Sequence, residues 1–359
     1  MWEDEIMVPM RIPHSRPVID QEDIEAVTEV LASGMIAQGE KVRKFEETMA
    51  EFVGVKYGVA VSSGTSALHL ALIGIGVKAG DEVIMPSYIC PSPYLAALHA
   101  GAVPKVVDID LTDLNICART VEKHVSPKTK AVIVPHMFGT PAELDELLEL
   151  GVPIIEDCAQ SLGAEYQGRL VGSFGELSIN SFYATKMIAT GEGGMVLTNN
   201  SDSYSRILEI REYDKKPLTC MRYNYKMTDF QAALGLSQLK KLPNFIERRR
   251  EIASLYTSRL SEYNIEIPHI YPHKKSVFYR YVIRAENAEV VQKRAKENGV
   301  ICEKPVYKPL HTNLSGFSCP NVDKVYEQAL SIPLYPGLSE VEIEYLLQMF
   351  DVLFAARAG

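Results

Sequence analysis

Lys186 stands in the run from Leu177 to Thr198, LSINSFYATKMIATGEGGMVLT, and its neighbours give the amine an unusual place. Leu177, Ile179, Ser181 and Tyr183 alternate with Ser178, Asn180 and Phe182, the pattern of a strand with one more polar face. Lys186 follows that strand, the sequence GEGG then breaks regular structure, and Met195 to Thr198 resumes as a second strand. Read alone, a lysine on such a loop is a solvated side chain. Two other strand ends change its meaning.

The run Val152-Pro-Ile-Ile155 ends in Glu156-Asp157, which sets a carboxylate where a buried strand emerges. Read alone, that acid caps the next helix. The run Val59-Ala-Val61 ends in Ser62-Ser-Gly-Thr-Ser66 and continues as Ala-Leu-His-Leu-Ala-Leu72. That is strand, small-residue turn, helix, and the free N–H groups and hydroxyls at such a helix start favour a phosphate. A phosphate cup, a carboxylate and an amine at one sheet edge are together what pyridoxal 5′-phosphate requires. The amine condenses with the cofactor's aldehyde, and the carboxylate keeps the pyridine nitrogen protonated so that the ring accepts electrons. One pKa unit of such stabilisation is worth about 1.4 kcal/mol. A lysine released by substrate is then free to move a proton.

These groups need a sheet to hold them. Apolar, β-branched runs at 58–61, 82–85, 105–109, 131–134 and 152–155 alternate with helix-like segments, and the two strands around Lys186 bring the number to about seven. The pattern predicts an α/β fold: a three-layer α/β/α large domain with a mostly parallel seven-stranded sheet, ligands binding beyond the strands' carboxyl ends. Before it, Asp20 caps a helix with Ile24, Val27 and Leu31 on one face and Gly34 at its end. A second helix spans Lys41 to Phe52, with Val42, Phe45, Met49 and Phe52 in helical register. Thr228-Asp-Phe-Gln231 is a capping box opening a long helix that Pro243 interrupts and that resumes from Ile246 to Leu260. The break suggests a large domain over 1–243 and a smaller α+β domain over 244–359. The latter reads as a strand from Val277 to Ile283, a helix from Asn287 to Asn298, a Pro-rich loop and a final helix from the capping box Ser339-Glu-Val-Glu342.

The 359 residues are 47% hydrophobic and 23% charged, with a net charge of −9, which argues against nucleic acid or an anionic membrane as partner. The six cysteines form no CxxC pair, so neither a zinc site nor a disulfide framework is expected. The start of the chain carries acids where an export signal needs bases, and no window has the apolar length of a membrane span. The expectation is a cytoplasmic protein.

SSGTSALHLAL, EDCAQSLGA, SFYATK with GEGG, and RYNYKMTDFQAALGLSQL closely resemble, in order and spacing, the DegT/StrS family of sugar aminotransferases. The resemblance reaches the closing SIPLYPGLSEVEIE. It implies a pyridoxal-phosphate enzyme of fold type I that moves an amino group, usually from L-glutamate, to a keto group of a nucleotide-linked deoxysugar for polysaccharide or antibiotic-sugar biosynthesis. By position it implies Lys186 as the lysine that bonds the cofactor, where the family's dehydratase branch has histidine. It implies Asp157 at the pyridine nitrogen, Gln160 at the ring hydroxyl, and Gly64, Thr65 and Ser181 at the phosphate. Asn224 matches an asparagine that reaches the neighbouring subunit's phosphate, which implies a homodimer with shared sites. Where many members set an aromatic ring against the cofactor this chain has Cys90, in Pro86-Ser-Tyr-Ile-Cys90, so either Cys90 or Tyr88 covers the ring. Tyr183 and His311 are the expected substrate contacts. Two alternatives stay open: an aminotransferase for an aminocyclitol or other small ketone, and a cofactor-binding regulator without catalysis.

Overall fold

The computed structural model describes residues 10–354; the acid-bearing start of the chain lies outside them. Seven strands form the central sheet: β1 Tyr57–Val61, β2 Glu82–Pro86, β3 Val103–Val107, β4 Thr129–Pro135, β5 Ile154–Asp157, β6 Leu177–Ser181 and β7 Gly194–Thr198. Their spatial order is β1-β7-β6-β5-β4-β2-β3. β7 runs antiparallel to β1 and β6, and the remaining neighbours are parallel. β1, β2, β5 and β6 therefore all end at one edge of the sheet. The apolar runs carry no alternation because both faces are covered.

Helices α1 (Gln21–Ser33) and α2 (Glu40–Val53) precede the sheet, and α3 (Gly64–Gly74), α4 (Ser92–His99), α5 (Ala118–Glu122) and α6 (Leu144–Glu149) make its crossovers. After β7 come α7 (Ser201–Arg211) and α8 (Asp229–Leu260). One face packs Leu68, Leu72, Ala96 and Ile207 against Val59, Val83 and Ile133. The other packs Val42, Phe45, Leu147, Leu239 and Leu242 against Ala60, Ile84 and Val132. These are the three expected layers.

A third cluster gathers Ile252, Tyr256 and Leu260 with Tyr281, Ile283, Leu346 and Phe350. It is built from the second half of α8, the antiparallel pair β8 (Tyr281–Arg284) and β9 (Ala329–Ile332), α9 (Ala288–Glu297) and α11 (Glu340–Phe354), while α10 (Pro320–Gln328) returns toward the main sheet. The Ser339 capping box forms, its N–H and hydroxyl both donating to Glu342.

Three expectations are corrected. Pro243 does not interrupt the long helix: α8 runs through it unbroken, with packed residues on both sides, so tertiary contact outweighs the lost backbone bond. The strand expected from Val277 begins at Tyr281, because residues 277–280 bond the Phe138–Gly139 corner instead: Val277 N–H donates to Gly139 O and Arg280 N–H to Phe138 O. On α1, Ile24 and Leu31 are more than half exposed, and the inward residues are Asp23 and Val30. Asp23 accepts from the Gln238 side-chain amide at 2.8 Å and pairs with Lys241 at 2.9 Å, so a polar seam, not the apolar stripe, docks α1 on α8.

Candidate active site

The cup after β1 is organised by serine hydroxyls. Ser63 is the N-cap of α3 and accepts from Ser66 N–H, and Ser62 and Ser63 both lie within hydrogen-bond distance of the Ser66 hydroxyl. The first N–H groups of α3, at Gly64 and Thr65, have no partner within the helix and point where an anion would sit. A Cβ at Gly64 would lie 2.8 Å from Ser181 Cβ, so glycine is what lets the cup close against the end of β6. The Thr65 hydroxyl meets Ser92 at 2.9 Å, which ties α4 to the same cup. Tyr225 O accepts from Ser62 N–H and brings the Tyr223–Tyr225 segment alongside.

Asp157 ends β5, almost fully buried. One carboxylate oxygen accepts from Ala159 N–H at 3.0 Å. Burial pushes this acid above its usual range, and the Ala159 N–H, Lys186 and His136 pull it only partly back. A buried acid short of compensation is suited to receive a cationic N–H. Gln160 Oε1 accepts from Phe138 N–H at 2.9 Å, which turns its amide NH2 the other way. Lys186 lies half-buried on the loop between β6 and β7. That loop is held by Phe182 N–H to Gly193 O, Ala184 N–H to Gly191 O, and Lys186 N–H to Tyr183 O. Cup, acid and amine thus meet at one sheet edge, as their strand ends require.

The remaining expected residues fall into two groups. Tyr88 is completely buried, edge-on to Phe138, whereas Cys90 is exposed two residues from Ser92 at the cup. A residue that covers a cofactor must be reachable from the cavity, so Cys90 fits that place and Tyr88 is core. Asn224 is exposed between Tyr223 and Tyr225, whose rings stack at 5.0 Å. Tyr183 is about half exposed on the lysine loop. His311 lacks a free nitrogen: Nδ1 meets the buried Ser87 hydroxyl at 2.6 Å and Nε2 meets Asp323 at 3.0 Å. It fastens the 310–313 turn to the end of β2 rather than reaching outward.

Sequence reasoning missed three groups around this edge. Glu156 and His136 form a buried pair beneath Asp157. With Cys158 they place potential ligand atoms within 4.8 Å of one another. Their capacity is spent on the protein: Glu156 accepts from Gly172, Phe174 and Gly175 N–H, and His136 Nδ1 accepts from Ala142 N–H. Tyr279, from the chain entering β8, lies under Lys186 Nζ, 5.1 Å from ring centroid to nitrogen. It is remote in sequence, and no local pattern marks it.

Residues 17–351 match the model of the DegT/DnrJ/EryC1/StrS aminotransferase family. A GDP-perosamine synthase of Escherichia coli O157:H7 is 32% identical, over 96% of this chain and 99% of that protein. The aminotransferase TlmJ from Streptoalloteichus hindustanus superposes with a TM-score of 0.90 at 32% identity, covering 94% of this chain and 97% of that one. The PLP form of Spr1654 from Streptococcus pneumoniae gives the same score at 26% identity, over 96% and 98%. The chain belongs to this family. It is a pyridoxal-phosphate-dependent aminotransferase, and the donor set at this edge suits such a cofactor: an anion cup, a buried acid and a half-buried amine.

Proposed function

We propose that this enzyme moves an amino group from L-glutamate to a keto carbon of a nucleotide-linked sugar, in two alternating half-reactions. The observation that carries the reading is the meeting of Lys186, Asp157 and the Ser62–Ser66 cup at one sheet edge. When bound, the cofactor supplies an electron sink for the substrate carbon that loses or gains a proton. The chain supplies the rest. Lys186 carries that proton on Nζ in both directions. Asp157 holds the positive end of the ring, Gln160 and Ser181 orient it, and Cys90 covers one face. The sugar end falls to Tyr183 on the lysine loop and to the 307–313 stretch that His311 fastens in place.

The reading includes a homodimer in which Asn224 completes the partner's phosphate site; its exposed place between two anchored tyrosines supports this. It divides the chain into a large unit over 1–243 and a smaller one over 244–359, supported by the separate third core cluster, with Ile12 crossing over to pack in that cluster. It places the enzyme in the cytoplasm, in keeping with six unpaired cysteines. Among the described residues no helix is long and apolar enough to cross a membrane.

The test is the visible spectrum of the cofactor-loaded enzyme before and after L-glutamate. Bleaching by glutamate, with the band restored by a nucleotide-ketosugar and not by a ketocyclitol, is the expected result. Restoration by the cyclitol alone transfers the assignment to aminocyclitols. A band that no amino donor bleaches leaves a cofactor-binding regulator.

A further inference from the structure

Tyr279 is 6% exposed and sits where the smaller unit touches the lysine loop. Lys186 Nζ lies 5.1 Å from its ring centroid, and the Arg280 guanidinium carbon lies 5.2 Å from the same centroid. An aromatic face attracts cations. The Tyr279 hydroxyl meets Thr185 Oγ1 at 3.2 Å, on the residue just before the lysine. Ring and hydroxyl together grip the turn that carries the working amine.

The charges around this ring are mostly of one sign. From α8, Arg249 donates to the Tyr279 carbonyl at 3.2 Å. From the N-terminal segment, His14 meets the Arg280 guanidinium at 2.9 Å. Lys186 faces the ring from the loop, and Asp157 acts on Lys186 from β5. Burial alone would push the phenol up, but Lys186 and Arg280, with hydrogen bonds from Thr185 and Arg280, bring it down to about 8.

We propose that Tyr279 is a positioning residue for Lys186: its ring seats the amine, and its hydroxyl, through Thr185, fixes the turn that carries it. The proposal rests on the aminotransferase reading above. Tyr279 makes no bond to substrate; the transferred proton goes from the substrate carbon to Lys186 Nζ and back.

Tyr279→Phe keeps the ring and removes the hydroxyl, and Tyr279→Leu removes both. In the cofactor-loaded enzyme we expect Tyr279→Phe to slow glutamate-driven bleaching, because the turn that bears Lys186 loses its bond to the hydroxyl. Its kcat should fall about tenfold, the equivalent of one pKa unit, with the KM for glutamate unchanged. The pH titration of the cofactor band, recorded without donor, should shift as well. Tyr279→Leu, which also loses the ring under Lys186 Nζ, should show a further drop in rate. A Tyr279→Phe profile that superimposes on the wild type, in bleaching and in band titration, overturns the proposal. If glutamate leaves the wild-type band untouched, the donor reading is what fails, and the donor-free titration still decides Tyr279: an unshifted curve rejects it.

Discussion

His136 Nε2 stands 3.1 Å from Glu156 Oε2, with both side chains completely buried. Ala142 N–H points at His136 Nδ1, which leaves the ring proton on Nε2, facing the carboxylate. Burial by itself would raise Glu156, but His136 and the N–H groups of Gly172 and Gly175 outweigh it and hold the acid below its usual range. Glu156 thereby clamps the 172–175 turn to the strand that ends in Asp157. Glu156→Gln puts an NH2 where one oxygen now accepts two hydrogen bonds, so at least one donor is left unsatisfied. We expect a loss of about 2–4 kcal/mol in denaturant unfolding at neutral pH. A midpoint unchanged from wild type would remove Glu156 from this role.

Lys186→Ala should still bind pyridoxal phosphate, because the Ser62–Ser66 cup and Asp157 are untouched. The bond to the lysine and the proton carrier are both lost. Turnover should fall by about 100-fold or more, the usual contribution of a positioned base. Near-normal turnover would falsify the assignment of Lys186. Mass spectrometry after hydride reduction supplies the second check: a cofactor adduct on wild type and none on the variant.

Asp157→Asn keeps the shape at the end of β5 and removes the charge. The folded acid is raised by burial while its cationic partner is absent, so the apoenzyme loses little by the change. In the loaded enzyme the asparagine cannot hold a protonated pyridine nitrogen. Thermal stability of the apo form should stay within about 1 kcal/mol of wild type, while the glutamate half-reaction slows by about 100-fold. A variant equally stable and equally fast would mean that another group faces the nitrogen.

Asp229 caps a helix other than its own. Its oxygens accept from Gly39, Lys41 and Val42 N–H at 2.7, 3.2 and 3.0 Å, satisfying the start of α2 from the start of α8. α2 has no cap from its own side chains, and a Cβ at Gly39 would lie 2.8 Å from Asp229 Oδ2. Asp229→Ala should cost about 2–3 kcal/mol, and Asp229→Asn about half that, since it keeps one acceptor and loses the charge at the helix start. Equal losses for the two variants would show that the charge, which both remove, and not the retained acceptor is what holds the start of α2.

The sheet was legible because its strands are buried on both faces, so each is a short apolar run closed by turn residues, from Val59–Val61 to Met195–Thr198. Lys186, Asp157 and the serine cup were legible because each lies at the end of such a run. What failed to read across was contact between distant segments. Ile24 and Leu31 form a helical stripe that faces outward, because Asp23, Lys241 and Gln238 make the actual seam. Pro243 reads as a break, yet Leu242 and Ile246 on either side are packed into one core. Tyr279 and His136 have no local signal at all; only the fold brings them to the site.

His14 predicts how the enzyme fails in acid. Burial first, then the Arg280 guanidinium, brings its imidazole down to about 3. In the unfolded chain the same group titrates near 6.5. The unfolded state therefore binds a proton that the folded state refuses. Stability from this site is complete above about pH 6.5 and is lost as pH falls toward 3. His69, lowered to about 4 by burial and then by His99, adds a term of the same sign. Each unit of difference is worth about 1.4 kcal/mol, so the acid limb of Tm against pH should be steep between pH 6 and 4. His14→Gln cannot titrate, yet it keeps a polar side chain near Ser331, which now meets His14 Nε2 at 2.8 Å. Its Tm should depend less on pH across that range than the wild type's, even if it starts lower at pH 7. Parallel curves for the two proteins would show that another group drives acid unfolding.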